Sequence, residues 1–207
     1  MVQHQVRTVD VFDANILQVL SSVPREQFVR PGMEAMAFAE TELPLAHGQV
    51  MMAPNVEGRM LQSLAIKPSD VALEIGTGSG FVTACLARLA ASVTSVDIYE
   101  DFQASASANL EDSGINNFDL QVMDATQQLP DGDFDVIAVT GSIEVFDPRF
   151  VMALKPGGRL FVIVGSSPNM EARLVERTGD NDWHTESLFE TDLPALVNAQ
   201  LPPQFSF

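Results

Sequence analysis

Apolar residues follow two rhythms along the chain, and the rhythm changes near residue 70. Before it, in VFDANILQVLSSV, Val11, Ile16, Leu17, Val19 and Leu20 recur near helical spacing. VPREQFV then turns the chain, and Pro31-Gly32 punctuates it. In PNVEGRMLQSLAI, Val56, Met60, Leu61 and Leu64 share one helical face, and Pro54 suits a helix start. This helix is expected to end before Lys67-Pro68, so the opening third reads as helical.

From Asp70 short apolar runs alternate with helical ones. VALEIG, SVTSVDI, FDLQVMD, FDVIAVTG and RLFVIVG read as five strands. Between them FVTACLARLA, EDFQASASANLEDSG (with Gly114 at its end) and DPRFVMAL read as helices, the last stopping at Lys155-Pro156-Gly157-Gly158. Strands this apolar are expected to be covered on both faces. Alternating β and α units predict a parallel sheet with right-handed crossovers. The end differs: in ARLVERTGDNDWHTESLFET two strand-like runs flank Gly179-Asp180-Asn181-Asp182, a hairpin signal, with Trp183 as a packing residue beside the turn. The expected fold is α/β, a doubly wound, mostly parallel sheet with an N-terminal helical segment and a C-terminal antiparallel hairpin. One domain is expected over 1–207: a helical cap at 1–67, a core at 68–165 and a hairpin and tail at 166–207.

Composition narrows the partners. The 207 residues are 46% hydrophobic, enough for one domain with a sizeable core. The 28 acidic and 11 basic residues give a formal charge of -17. Such a surface repels phosphate backbones and anionic lipid, and there is no Lys/Arg cluster; neither nucleic acid nor membrane is an expected partner. Only two lysines occur, Lys67 and Lys155, each before a proline in an expected loop. The single cysteine, Cys85, excludes an intramolecular disulfide and a cysteine-rich zinc site, and its apolar helical run predicts an inert buried thiol. MVQHQVRTVD carries no signal-peptide core, and no apolar stretch approaches the roughly 20 residues of a membrane helix. The expected location is the cytoplasm, and no metal is expected.

The chemistry gathers where the rhythm changes. EIGTGSGF sets Gly76, Gly78 and Gly80 between the first strand and its helix, where a backbone must turn tightly and a ligand can approach. The following helix N-terminus offers N–H groups to an anion. The spacing is G-x-G-x-G rather than the G-x-G-x-x-G of dinucleotide sites, a weak distinction alone. Asp97 ends the second strand about twenty residues later, where doubly wound folds place a carboxylate on ribose hydroxyls. Asp124-Ala125 ends the third strand and Thr140-Gly141 the fourth. Each acid alone could be a solvated loop residue. All four features fall at the carboxyl ends of parallel strands, the ligand-binding edge of such sheets.

These residues resemble a class I S-adenosylmethionine-dependent methyltransferase. VALEIGTGSG with Glu74, Asp97, Asp124 and LKPGGRL carry the likeness. It implies S-adenosyl-L-methionine as cofactor, with the glycine loop beside its methionine part, Asp97 on the ribose and Asp124 near the adenine. Glu74 is expected to orient the loop and the cofactor's amino group. The N-terminal third is more specific. MVQHQVRTVDVFDANILQVLSSVPREQFV, FAETELPLAHGQ and IKPSDVALEIGTGSGF, in this order and spacing, resemble protein-L-isoaspartate O-methyltransferases to about Gly165. The implied cofactor contacts are Val50, Met51, Met52, Glu57, Glu74, Gly76, Thr77, Gly78, Asp97, Ile98, Asp124, Ala125 and Thr140.

One segment departs from that family. After His-Gly-Gln the family reads Thr-Ile-Ser-x-Pro, and its serine is held to matter for catalysis. Here the positions are Val50, Met51, Met52, Ala53 and Pro54, so Met52 stands at the serine. A histidine often found three residues past the proline is Glu57. Met51 and Met52 read either as core residues or as an apolar substrate wall. Glu57 reads as a helix-dipole partner or as a reach toward the cofactor. His47 reads as a structural turn residue, with a catalytic base as the alternative. No residue is assigned as catalytic. A thioether cannot donate a hydrogen bond, so the departure puts the methyl acceptor in question and leaves the cofactor untouched. Three readings stand: a methyltransferase with an altered acceptor, protein or small molecule; true isoaspartyl repair; or a non-catalytic cofactor-binding protein.

Overall fold

The computed structural model describes residues 11–203. Expectations about MVQHQVRTVD lie outside the described residues. Strand order explains where a ligand can enter. Seven strands form one sheet: β3 (Val71–Ile75), β4 (Ser92–Asp97), β5 (Phe118–Val122), β6 (Phe134–Ile143), β7 (Leu154–Ser166), β8 (Asn169–Arg177) and β9 (Trp183–Glu190). Their spatial order is β5-β4-β3-β6-β7-β8-β9. The first five positions pair in parallel; β8 and β9 add antiparallel. From β3 the chain first winds toward β5, then returns to the other side of β3 to lay down β6. The ends of β3 and β6 therefore diverge into a crevice, the topological switch point.

Helices α3 (Phe81–Leu89), α4 (Glu100–Asp112) and α5 (Pro148–Met152) connect the parallel strands, and α1 (Ala14–Ser22) and α2 (Pro54–Leu64) precede them. Asp13 starts α1 by accepting the Asn15 and Ile16 N–H groups, and Pro54 occupies the first turn of α2. Side chains alternate across the strands, so each face of the sheet builds its own core. On one face Ala72, Phe161 and Ile163 meet Leu17, Leu20, Met60, Leu61 and Leu86. On the other, Leu73, Ile75, Leu160 and Val162 meet Phe150 and Val151. Cys85 is fully buried in the first, and burial pushes its thiol well above the ordinary range.

The structure corrects the sequence reading in four places. The helix in DPRFVMAL ends at Met152, because Leu154 already pairs with Phe134 and opens β7. Lys155 accordingly sits in β7, its ammonium 2.7 Å from the Asp135 carboxylate, and not in a loop. β5 is an edge strand not covered on both faces, and Val122 is 55% exposed. Trp183 does open the other edge strand beside the turn, 37% exposed, with its ring 6.2 Å from Phe146. The opening third is also less helical than expected. Between α1 and α2 lie three single 3₁₀ turns and a two-stranded hairpin, β1 (Leu43–Pro44) with β2 (Val50–Met51). Among the described residues no helix is long and apolar enough to cross a membrane.

Candidate active site

The crevice at the switch point holds two adjoining cavities. The larger, about 590 Å³, lies over the ends of β3, β4 and β6 and is lined by Val50, Gly76, Gly78, Asp97, Ile98, Asp124, Ala125 and Thr140, among others. The smaller, about 290 Å³, runs under the β1–β2 hairpin and is lined by Met51, Met52, Glu57, Glu74 and Thr77. Leu45, Val50, Gly76, Gly78 and Thr140 line both. All thirteen residues that the sequence singled out thus line one or both of these adjoining cavities.

The glycine loop is shaped by contacts that only glycine permits. Gly76 has φ +100°, and an added Cβ would overlap the Thr140 hydroxyl, which donates to the Gly76 carbonyl at 2.6 Å. Gly80 has φ +84°, and an added Cβ would lie 2.9 Å from the Ala106 methyl on α4. This close approach lets Gln103 of α4 donate to Thr77 at 3.0 Å. Thr77 in turn meets the Ser95 hydroxyl at 2.6 Å.

The acids occupy distinct environments. Asp97, 8% exposed, accepts N–H groups of Gly78 at 2.9 Å and Tyr99 at 3.0 Å. Burial pushes its pKa up against these hydrogen bonds. The carboxylate therefore anchors the loop while facing the larger cavity, with acceptor capacity to spare. Asp124 accepts from the Thr126 N–H at 2.9 Å, the Thr126 hydroxyl at 2.6 Å and the Asn198 amide at 2.8 Å. Burial pushes this carboxyl up, but those hydrogen bonds outweigh it and hold the pKa below the ordinary value.

Glu74 and Glu57 line the smaller cavity from the sheet and from α2. Glu74 is fully buried; its Oε2 accepts from Ser95 at 2.6 Å and from Thr83, and its Oε1 has no partner. Burial pushes its pKa to about 8. Glu57 is 1% exposed, its Oε2 pairs with Arg25, and its Oε1 is also without a partner. Burial pushes it to about 7, opposed by the Arg25 charge. Arg25 was not anticipated. It is fully buried, donates to the Ala37 and Met52 carbonyls at 2.7 Å each, and stacks 4.6 Å over Phe81. Its only sequence signal is a lone cation in VPREQFV, beside residues that pack inward.

Met51 and Met52 are 5% and 3% exposed and join the core cluster, so they are both packed core and cavity wall. His47 adopts φ 56° in a 3₁₀ turn, stacks on Tyr99 at 3.9 Å and lies 2.9 Å from Asp101. These contacts describe a turn held to α4. Leu196 and Val197, from the tail, close the larger cavity; no local pattern marks them.

The donor set fits S-adenosyl-L-methionine. The larger cavity lies at the switch point, where doubly wound sheets bind their ligands, with acids at its end toward β4 and β5. The smaller presents two buried carboxyl oxygens without partners, suited to a cationic group. Comparisons with known proteins agree. The family described as Protein-L-isoaspartate(D-aspartate) O-methyltransferase (PCMT) matches residues 1–199. Protein-L-isoaspartate O-methyltransferase 2 of Pelobacter propionicus is 33% identical over 202 residues, 97% of this chain and 90% of the relative. Protein-L-isoaspartate O-methyltransferase of Koribacter versatilis is 35% identical over 178 residues, 86% of this chain and 80% of the relative. Among solved structures, a protein-L-isoaspartate O-methyltransferase from Plasmodium falciparum, in complex with S-adenosyl-L-homocysteine, superposes with a TM-score of 0.81 at 19% identity, covering 92% of this chain and 93% of that one. That likeness shows the fold. The chain is an S-adenosyl-L-methionine-dependent methyltransferase and belongs to the protein-L-isoaspartate O-methyltransferase family.

Proposed function

We propose that the larger cavity takes the adenosyl part of S-adenosyl-L-methionine and the smaller its amino-acid part, and that the methyl acceptor is less polar than an isoaspartyl carboxylate. When bound, the cofactor supplies a methyl carbon made electrophilic by a sulfonium. The chain's residues bind and orient. Asp97 accepts the ribose hydroxyls, and Asp124 with Ala125 borders the adenine. The main chain of the Gly76–Gly78 loop runs along the boundary of the two cavities, next to Val50 and Thr140. Methyl transfer to a nucleophile already in its reactive state needs alignment more than a base. Alignment alone supplies effective molarities as high as ~10⁵–10⁸ M.

Met52 carries the reading of an altered acceptor. It stands where the family has a serine, its thioether has no donor, and Arg25 takes its carbonyl. A carboxylate arriving there would lose water without gaining a hydroxyl partner. A second reading, carboxyl methylation of isoaspartyl residues in protein repair, is favoured by relatives of that name along nearly the whole chain.

The two are separated by incubating the protein with methyl-labelled cofactor and an isoaspartyl peptide, beside its aspartyl twin. The altered acceptor predicts little label on either peptide and clear label on some component of a cell extract. It further predicts that Met52→Ser raises isoaspartyl labelling about tenfold, the value of one regained hydrogen bond. Rapid base-labile labelling of the isoaspartyl peptide by the wild type, with no gain in Met52→Ser, would establish repair instead.

A further inference from the structure

Two walls of the larger cavity are held in different ways. The tail wall, Leu196 and Val197, is tied to β6 through the main chain: the Leu196 N–H donates to the Ser142 carbonyl at 2.8 Å, and the Ser142 N–H to the Pro194 carbonyl at 3.0 Å. The hairpin wall, Leu45, Gln49 and Val50, has a buried foot and an exposed tip. Leu43, Met51 and Met52 anchor the foot, each at most 5% exposed. At the tip the Gln49 N–H donates to the Ala46 carbonyl at 3.0 Å and the Leu45 N–H to the Gln49 carbonyl at 2.8 Å, so the main chain bonds to itself. A side chain carries the tip to α4. His47 stacks on Tyr99 with ring centres 3.9 Å and planes 7° apart, meets Phe102 edge-on at 5.5 Å and lies 2.9 Å from Asp101. Tyr99 and Phe102 line the same cavity from the α4 side. His47 thus joins two walls of one cavity. The His47 and Asp101 side chains are 38% and 58% exposed, and ion pairs so exposed are weak. His47 also holds a left-handed backbone, φ 56°, which is unfavourable for a residue with a side chain. Such a contact closes a wall without locking it.

We infer that His47, Tyr99 and Asp101 form a latch that shuts the β1–β2 hairpin over the larger cavity, and that the cofactor, in the placement proposed above, enters and leaves when the latch opens. His47 lines neither cavity, so this role needs no contact between it and the ligand. Leu45 shows how closely the shut wall sits on the glycine loop: a Cβ added to Gly78 would lie 3.1 Å from its Cδ1. The latch sets how often the wall opens. It therefore acts on entry and exit alike and leaves their ratio, the affinity, nearly unchanged. The titratable groups facing His47 are Asp101 and the Tyr99 phenol, and Asp97 faces Asp101 from the end of β4. A protonated imidazole is drawn both to the Asp101 carboxylate and to the face of the Tyr99 ring. The latch tightens as pH falls and His47 takes a proton, and exchange slows.

The test is kinetic. Rapid mixing with labelled S-adenosyl-L-homocysteine gives the association rate, and a chase with excess unlabelled ligand gives the dissociation rate. His47→Asn removes the ring but keeps a residue that tolerates the left-handed backbone. At pH 6 it should speed association and dissociation alike by about fivefold, the factor for the upper end of an exposed ion pair's range, with Kd held within about twofold. In the unmodified protein both rates should be slower at pH 6 than at pH 8, and in Asp101→Asn that difference should largely vanish. Tyr99 is the chain's one tyrosine, so with isotope-labelled tyrosine its ring resonances report the stack directly. They should shift between pH 8 and pH 6 in the unmodified protein and much less in His47→Asn. Unchanged rates in His47→Asn, or a weaker Kd from faster dissociation alone, would overturn the latch. If His47→Asn does not fold, Asp101→Asn decides: rates with the pH dependence of the unmodified protein would overturn it equally. Failure of the unmodified protein to bind the ligand would instead overturn the cofactor placement, and the latch with it.

Discussion

At the residue scale, the acids and glycines of the crevice are legible because their places are fixed by position on a strand. A residue at the carboxyl end of β4 can hardly avoid the switch point, so Asp97 could be named from spacing alone. Arg25 and Gln103 could not. Both are polar residues buried by packing between segments distant in sequence, 32 residues apart for Arg25 and Glu57 and 26 for Gln103 and Thr77. Sequence rhythm reports a face, not the identity of what meets it. The Arg25 cluster makes a clear prediction. Replacing Arg25 by Met keeps the volume but leaves the Glu57 carboxylate without its cation and two carbonyls without a donor. Breaking a buried pair in this way costs about 3–5 kcal/mol. Chemical denaturation should show that loss; a change under about 1 kcal/mol, the scale of surface ion pairs, would mean that Arg25 is not held as described.

Elements with strong periodicity were legible, and the short irregular ones were not. α1 through α4 and the seven long strands follow apolar runs, and the terminal hairpin follows its turn residues. The β1–β2 hairpin, two residues a side, has no period to read; it is held by Leu43 and Met51, which are buried in the core cluster. The end of α5 differs from the expected one because Leu154 satisfies a helical pattern and a strand pattern equally well. Tertiary pairing with Phe134 decides. The contact between the glycine loop and α4 is the element-scale feature most open to test. Gly80→Ala forces an L-residue into φ +84° and drives a methyl against Ala106. Overpacking of this kind costs about 1–3 kcal/mol, beyond the left-handed conformation itself. Gly114→Ala, at φ +68° with nothing within 4 Å, should carry only the conformational cost. Melting temperatures that fall equally in the two variants would contradict the close approach.

For the whole molecule we propose that the chain folds as one unit, since the buried cluster under α1 and α2 also takes in Phe161, Ala172 and Leu193. Its stability should depend on pH in an unusual sense. Glu57 and Glu74 have folded-state pKa values raised from 4.5 to about 7 and about 8. Between 4.5 and those values the folded state binds more protons than the unfolded one, so the stability they contribute is present at low pH and lost as pH rises through about 8. The net charge of -17 adds self-repulsion in the same direction. A thermal melt at pH 8.5 should therefore lie below one at pH 6, and saturating S-adenosyl-L-homocysteine should narrow the gap. A melting temperature that climbs from pH 6 to 8.5 would contradict the burial of both carboxyls.

The central claim is that the crevice at the ends of β3, β4 and β6 binds the methyl donor, with Asp97 on its ribose. Titrating S-adenosyl-L-homocysteine into the wild type and into Asp97→Ala, with folding checked by circular dichroism, tests it most directly. The account predicts saturable binding by the wild type and a loss of about tenfold to a hundredfold in the folded variant, as charge-assisted hydrogen bonds to the ribose disappear and the Gly78 loop loses its anchor. Equal affinity in the two proteins, or no binding by the wild type, would contradict it.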